Sequence, residues 1–273
     1  MTAESRKDRR TDGKQGAVSP CFPSLIVMDG KRGILSLCAD NRRRGRGKLK
    51  IVNAKKNRWK LPLAALSACG FLVVASMLGT SALAAFDDGL YFALVKVFRP
   101  SEFPLMEWFA FLGSARMLTP IAALLLAFGI ARREFRPYGV LSAMDILSAW
   151  ATNVFLKNLF RRQRPDIGRW LVAERGYSFP SGHAMVSAAF YGYLICVCLL
   201  LFKRPWRGIS SLLLLLTVAF IGVSRICLGV HYPSDVTAGF FAGSAFALLF
   251  SHYTDRFLDA EAAGRPNGSA PHT

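Results

Sequence analysis

Acid is scarce in this sequence. Only 17 residues are Asp or Glu, against 35 Lys and Arg, and near the polar clusters described below only Asp166, Glu174 and Asp235 are acidic. A two-metal hydrolytic centre needs more oxygen ligands than that, so no metal and no other cofactor is expected. The six cysteines, at 21, 38, 69, 196, 198 and 227, include no C-x-x-C pair and no Cys/His run with metal spacing. That argues against both a zinc site and a disulfide framework. Four of them sit in or beside apolar runs, where a free thiol behaves as a small hydrophobe. No secretory signal is expected, because the first long apolar run begins near Leu61. Met28 is an alternative start that would remove part of the segment before it.

What the chain has in quantity is apolar residues, 52% of 273, with a mean hydropathy of +0.31. Runs of about 18 or more such residues point to membrane spans. The formal net charge of +18 is concentrated at the front, where residues 1–60 hold 17 Lys and Arg against 5 Asp and Glu. A basic segment of this kind can bind nucleic acid, but here apolar runs follow at once. The expected partner is the bilayer, with the segment on the cytoplasmic side and no nucleic acid involved.

The pattern divides the chain into a basic, disordered cytoplasmic tail at 1–58, a transmembrane domain at 59–255 and a short polar tail at 256–273. Six spans are expected, near 61–86, 116–131, 137–156, 183–202, 209–223 and 235–253. The stretch 88–115, with Trp108 and Phe109 beside Glu107, reads as an interfacial amphipathic segment. The fold class is therefore all-α, a polytopic membrane helix bundle. With the basic tail inside, the loops 132–136 and 203–207 also fall inside, each with three Lys or Arg. The outer loop 157–182 is rich in Arg and breaks the positive-inside rule. A bound anion explains charge placed against topology.

Three polar clusters fall at the outer ends of spans: Lys157 to Pro165, Pro180 to His183, and Ser224-Arg225 with His231 and Asp235. A phosphate monoester carries about two negative charges at neutral pH. Lys157, Arg164 and Arg225 supply fixed cations, and Arg matches phosphate oxygens bidentately. Ser181 and Gly182 open a helix, where free backbone N–H groups favour an anion. Pro233 suits a first helical position, which places His231 in the connection and Asp235 in the first turn. A carboxylate there can hold one imidazole nitrogen and leave the other free to attack phosphorus, with His183 as the acid for the leaving oxygen.

The pattern K-x6-R-P, P-S-G-H and S-R-x5-H-x3-D, carried by Lys157, Arg164-Pro165, Pro180 to His183, Ser224-Arg225, His231 and Asp235, resembles the three-part signature of the type 2 phosphatidic acid phosphatase (PAP2) family. The resemblance covers about residues 60–255. It implies a helical bundle, a phosphohistidine intermediate on His231, His183 as general acid and no metal.

The expected activity is removal of phosphate from a membrane lipid at the extracytoplasmic face of a bacterial inner membrane. An isoprenoid diphosphate carrier, lipid A phosphate, phosphatidylglycerol phosphate and phosphatidic acid are the candidate substrates. A headgroup transferase or a lipid-phosphate transport protein would need the same pocket. Vanadium-dependent haloperoxidases share the three motifs, but six spans argue against that class. Arg161, Arg162 and Arg169 read equally as a solvated face. Asp145, an acid within the third span, reads either as a functional group or as a structural one that hydrogen-bonds a neighbouring helix, for instance through Ser142, Ser148 or Thr152 on its own span. Oligomeric state is left open by the sequence.

Overall fold

A computed structural model of the chain describes residues 57–98 and 103–263. Most of the basic tail, with its expected disorder, lies outside the described residues, as do residues 264–273. The described residues form eight α-helices and no β-strand: α1 (Lys60–Ser76), α2 (Ser81–Val97), α3 (Phe103–Leu112), α4 (Ala115–Ala131), α5 (Arg136–Phe160), α6 (Gly182–Leu201), α7 (Trp206–Cys227) and α8 (Pro233–Ala263). Five stretches are long and apolar enough to cross a membrane: Phe103–Ala131, Arg133–Phe160, Gly182–Leu201, Trp206–Cys227 and Pro233–Glu261. The pair α1 and α2, bent by 103°, brings the number to six where the two are counted as one broken span. Large side chains such as Leu66, Leu124, Leu147 and Leu213 are exposed, as lipid-facing positions require.

The first span departs from its expected form. It is not one helix over 61–86: the chain breaks after Ser76 and α2 leaves at 103°. Gly79 takes a left-handed φ of 85°, which costs a residue without Cβ nothing, and the Thr80 hydroxyl then accepts from the Leu83 amide to cap α2. Hydropathy alone does not register such an elbow, because both arms are apolar. The stretch 88–115 is likewise not one interfacial segment. Its first part completes α2, and α3 joins α4 across Gly113 and Ser114 within the 29-residue stretch Phe103–Ala131. Both α5 and α7 run further than expected, so Lys157 and Arg225 stand on the last turns of helices rather than in loops.

The centre of the bundle is α6, whose Ala184, Met185, Ala188, Ala189, Phe190 and Tyr193 are buried. Gly239 and Gly243 of α8, one turn apart on one face, press against it. A Cβ on Gly243 would lie 2.2 Å from the Met185 carbonyl oxygen, and one on Gly239 would lie 2.9 Å from that of Ser181. In lipid, where apolar burial gives no driving force between helices, such backbone contact is what holds a pair together. At the far end of α8, Lys60 of α1 donates to Asp255 at 2.5 Å and to the Ser251 hydroxyl at 2.7 Å. This buried ion pair fixes α1 to α8.

Asp145 does not bond within its own helix. Both carboxyl oxygens are buried without a hydrogen-bond partner, and the Ser142 hydroxyl donates instead to the Gly139 carbonyl at 2.9 Å. A serine in a helix reaches its own preceding turn more readily than a side chain three residues on.

Candidate active site

The three polar clusters meet at one end of the bundle. The last turns of α5 and α7, the first turns of α6 and α8, and the segments 161–181 and 228–232 all contribute. These two segments are locked together where Gly229, at a φ of 74°, lies against the Arg169 carbonyl: a Cβ there would be 1.8 Å from that oxygen. The Leu171 amide donates to the Leu228 carbonyl at 3.1 Å beside it.

His231 is buried between two different environments. On its Nε2 side stands Arg164, with Nη1 at 3.3 Å. On its Nδ1 side stand the Ser178 hydroxyl at 3.3 Å and Oδ2 of Asp235 at 3.4 Å. A guanidinium can only donate. Nε2 is therefore the nitrogen with the lone pair, and Nδ1 carries the proton toward Ser178 and Asp235. This tautomer follows from the hydrogen-bond network. The imidazole pKa is held well below the ordinary histidine value, chiefly by burial and then by the charges of Arg225, Arg164 and Lys157. His231 is thus a neutral base at physiological pH.

Asp235 is fully buried and fully bonded. Oδ2 accepts from the Ser178 hydroxyl at 2.5 Å and from the Tyr232 amide at 2.9 Å. Oδ1 accepts from Arg162 Nη1 at 2.6 Å. The Asp235 carbonyl accepts from the Ser181 amide at 3.0 Å, which binds the start of α8 to the start of α6.

The cations surround the same space. Arg164 is anchored by the carbonyls of Gly176 (2.9 Å), Arg175 (3.0 Å) and Val230 (2.8 Å). Lys157 donates to the Tyr177 carbonyl at 2.6 Å. Arg225, 3% exposed, pairs through Nη2 with Glu174, and Glu174 also lies 3.6 Å from Arg164. The Nε of Arg225 and the hydroxyl of Ser181 are buried and without a hydrogen-bond partner. Ser181 stands at the N-cap position of α6 with no side-chain capping bond, and Gly182 is the first residue of the helix, backed by Asn153, whose Oδ1 a Cβ on Gly182 would approach to 3.0 Å. His183 follows on the first turn, close enough for Arg225, His231, Lys157 and Arg164 to act on its charge. Buried unpartnered donors, three cations and a helix N-terminus are the chemistry that suits a multiply charged oxyanion. Among the described residues no group of three or more His, Cys, Asp or Glu is placed to hold a metal ion.

All eight residues expected at the site are brought to this end of the bundle. Ser224 is not part of the pocket chemistry: its hydroxyl donates to the Ile221 carbonyl of its own helix at 2.7 Å. Arg161 lies outside the cluster, exposed, with Nε on the Asn158 carbonyl. Arg169 pairs with Asp88 at 3.2 Å and covers the Tyr91 ring. Arg162, by contrast, is no solvated face. Its Nη2 donates to Asp87 at 2.7 Å and its Nη1 to the Ser234 hydroxyl at 2.8 Å as well as to Asp235. Asp87, Ser178, Glu174 and Ser234 also join the site, and none lies at a motif position. Asp87 looks in the sequence like the polar end of a span. The remaining signals were present but weak: a serine two residues before P-S-G-H, and one of the two acids in a loop of arginines.

Comparisons with known proteins identify the family. The profile described as "PAP2 superfamily" matches residues 138–259. The chain is 28% identical over 188 residues to phosphatidylglycerophosphatase B of Bacillus subtilis, covering 68% of this chain and 92% of that protein. It is 36% identical over 132 residues to decaprenylphosphoryl-5-phosphoribose phosphatase of Mycobacterium tuberculosis, covering 47% of this chain and 67% of that one. The crystal structure of a transmembrane PAP2 type phosphatidylglycerolphosphate phosphatase from Bacillus subtilis superposes with a TM-score of 0.64 at 26% identity, over 71% of this chain and 96% of the other. Fold and relatives converge: the chain belongs to the PAP2 superfamily and is a multi-pass membrane phosphatase of lipid phosphates.

Proposed function

We propose that the protein hydrolyses a lipid phosphate or diphosphate headgroup through a phosphohistidine on His231, at the extracytoplasmic face of a bacterial inner membrane. The observation that carries this reading is the two-sided environment of His231, with a lone pair at Nε2 facing Arg164 and a proton at Nδ1 facing Ser178 and Asp235.

In this reading Lys157, Arg164, Arg225, the Ser181 hydroxyl and the amides opening α6 at Gly182 hold the non-bridging phosphate oxygens. Nε2 of His231 attacks phosphorus as the bond from phosphorus to the lipid oxygen breaks. His183 delivers a proton to that oxygen, and Asp235 balances the charge that develops on the imidazolium. In the second half a water attacks the phosphorus and gives its proton to His183. The bond to Nε2 then breaks, which returns inorganic phosphate and the neutral imidazole. Catalysis is here positioning plus charge stabilisation, as phosphoryl transfer generally requires.

A site at helix ends meets headgroups at their own depth, which favours a lipid over a soluble ester. The names of relatives support phosphatidylglycerol phosphate and polyprenyl phosphates, with undecaprenyl-diphosphatase of Sulfolobus acidocaldarius and lipid A 4'-phosphatase of Bacteroides thetaiotaomicron among them. The outward orientation rests on the distribution of Lys and Arg.

The test is phosphate release by the purified protein from a panel of these lipids without added metal, with rapid quenching to trap the phosphoenzyme. Acid-labile, base-stable phosphate on His231, absent from His231→Ala, is expected. Near-normal hydrolysis by a folded His231→Ala protein would overturn the assignment. For orientation, a cysteine placed in the 166–176 loop, with native cysteines removed, should react with an impermeant thiol reagent in intact cells. Labelling only after lysis would reverse it.

A further inference from the structure

We propose that Arg162, which no motif position claims, is a positioning residue for the reaction: it sets the orientation and the free charge of Asp235 and so fixes the proton-bearing side of His231. The proposal rests on the reading above, in which His231 attacks and Asp235 supports it.

Every group on the Nδ1 side of His231 meets Arg162. Its Nη1 holds Oδ1 of Asp235 at 2.6 Å. Its main-chain carbonyl accepts from the Ser178 amide at 2.8 Å, and Ser178 is the residue whose hydroxyl stands between Asp235 and the imidazole. Its guanidinium lies 4.0 Å above the ring of Tyr232, whose amide donates to Asp235. With Oδ1 pinned, the carboxylate cannot rotate, and Oδ2 stays aimed at Ser178, Tyr232 and His231. The proton on Nδ1, and hence the lone pair on Nε2, follows from that aim.

The second partner of Arg162 settles the charge. A guanidinium bound to Asp235 alone would cancel the negative charge that a phosphorylated imidazolium needs nearby. Nη2 of Arg162 also holds Oδ2 of Asp87 at 2.7 Å. Burial opposes the charge on Arg162, but Asp235 and Asp87 outweigh it and raise its pKa. Two carboxylates and one guanidinium leave one net negative charge on the cluster that includes Asp235, beside His231. Asp87 is buried on α2 and fixed in turn, accepting from the Ser234 amide at 2.7 Å and the Ser234 hydroxyl at 2.8 Å in the first turn of α8. Only a planar fork reaches both carboxylates at once; a lysine offers one compact charge.

The experiment compares Arg162→Met, Arg162→Lys, Asp235→Asn and the double variant Arg162→Met/Asp235→Asn in the full-length purified enzyme. It measures kcat and KM on a lipid phosphate and the inhibition constant of inorganic phosphate. Arg162→Met should lower kcat by about 10–100-fold, as loss of an orienting partner commonly does, with KM and phosphate inhibition unchanged. The double variant should be no slower than Asp235→Asn alone, because Arg162 acts through Asp235. Arg162→Lys, which keeps the charge and protects against misfolding, should recover kcat only in part. Multiplied losses in the double variant, full turnover in Arg162→Lys, or weaker phosphate inhibition with kcat kept would each overturn the role given to Arg162 and leave that of Asp235 standing. Wild-type turnover in Asp235→Asn would overturn the reading of Asp235 itself, and this proposal with it.

Discussion

Nη1 of Arg164 stands 3.3 Å from Nε2 of His231 and donates toward it. One residue thereby marks the basic nitrogen and, in the proposed reaction, holds the phosphate that this nitrogen attacks. A cation against an imidazole would be a poor arrangement for a histidine that had to carry charge at rest. It suits one that must stay neutral until a dianion arrives.

The pH profile should reflect that. Burial and the charges of Arg225, Arg164 and Lys157 hold His231 well below its ordinary value. A base with a lowered pKa keeps its lone pair as pH falls through the usual histidine range and loses it only at lower pH. The acid limb of kcat/KM, after allowance for the second ionisation of the substrate phosphate near pH ~6, should therefore lie below the ~6.5 of an unperturbed histidine. A limb at or above that value would contradict the neutral, cation-ringed imidazole. Folding stability should follow the same sign. The unfolded chain binds a proton that the folded site refuses, so stability is full above the ordinary histidine pKa and is lost as pH drops below it.

His183 is expected to act on the leaving oxygen. His183→Ala should lower turnover on a lipid by roughly 10²–10⁴-fold with affinity largely kept. The loss should shrink on p-nitrophenyl phosphate, whose leaving group scarcely needs a proton. Equal losses on both substrates would assign His183 to holding the phosphate instead.

Glu174 pairs with the two arginines proposed to hold the substrate. A carboxylate on the same guanidinium repels a phosphate, and a neutral isostere does not. Glu174→Gln should therefore tighten inhibition by inorganic phosphate, with the retained shape keeping Arg225 in place. Weaker inhibition would show that Glu174 serves to orient Arg225.

Gly243 carries the closest backbone approach in the bundle core, with the Met185 carbonyl 2.2 Å from where a Cβ would stand. Gly243→Leu should force α8 off α6, lower the thermal midpoint in detergent and abolish activity. Gly208→Ala, where a Cβ meets nothing within 4 Å, is the control and should do neither.

Much of the site was legible because its signal is local. His231 and Asp235 are four residues apart across a helix start, Ser181 to His183 form one turn, and Lys157 to Arg164 bracket a helix end. Spacing along the chain is then spacing in space. Asp87 and Ser178 escaped notice for the opposite reason. Asp87 reaches Arg162 across 75 residues of sequence and Ser234 across 147, and Ser178 reaches Asp235 across 57. The packing of α2 over the start of α8 brings in Asp87, and the segment 161–181, held by the Ser178 amide on the Arg162 carbonyl, brings in Ser178. The elbow at Gly79 and Thr80 was hidden because hydropathy averages over a window and carries no direction. Helices run a few residues past the end of their apolar stretch wherever polar groups stand on a last turn, as Lys157 and Arg225 do.

The contact between α6 and α8 has a mechanical consequence. His183 stands at the head of α6, and His231 stands just ahead of α8. Gly239 and Gly243 let the two helices meet main chain to main chain directly beneath them. The gap between the two imidazoles is thus gauged by a rigid strut with almost no compliant side chain in series.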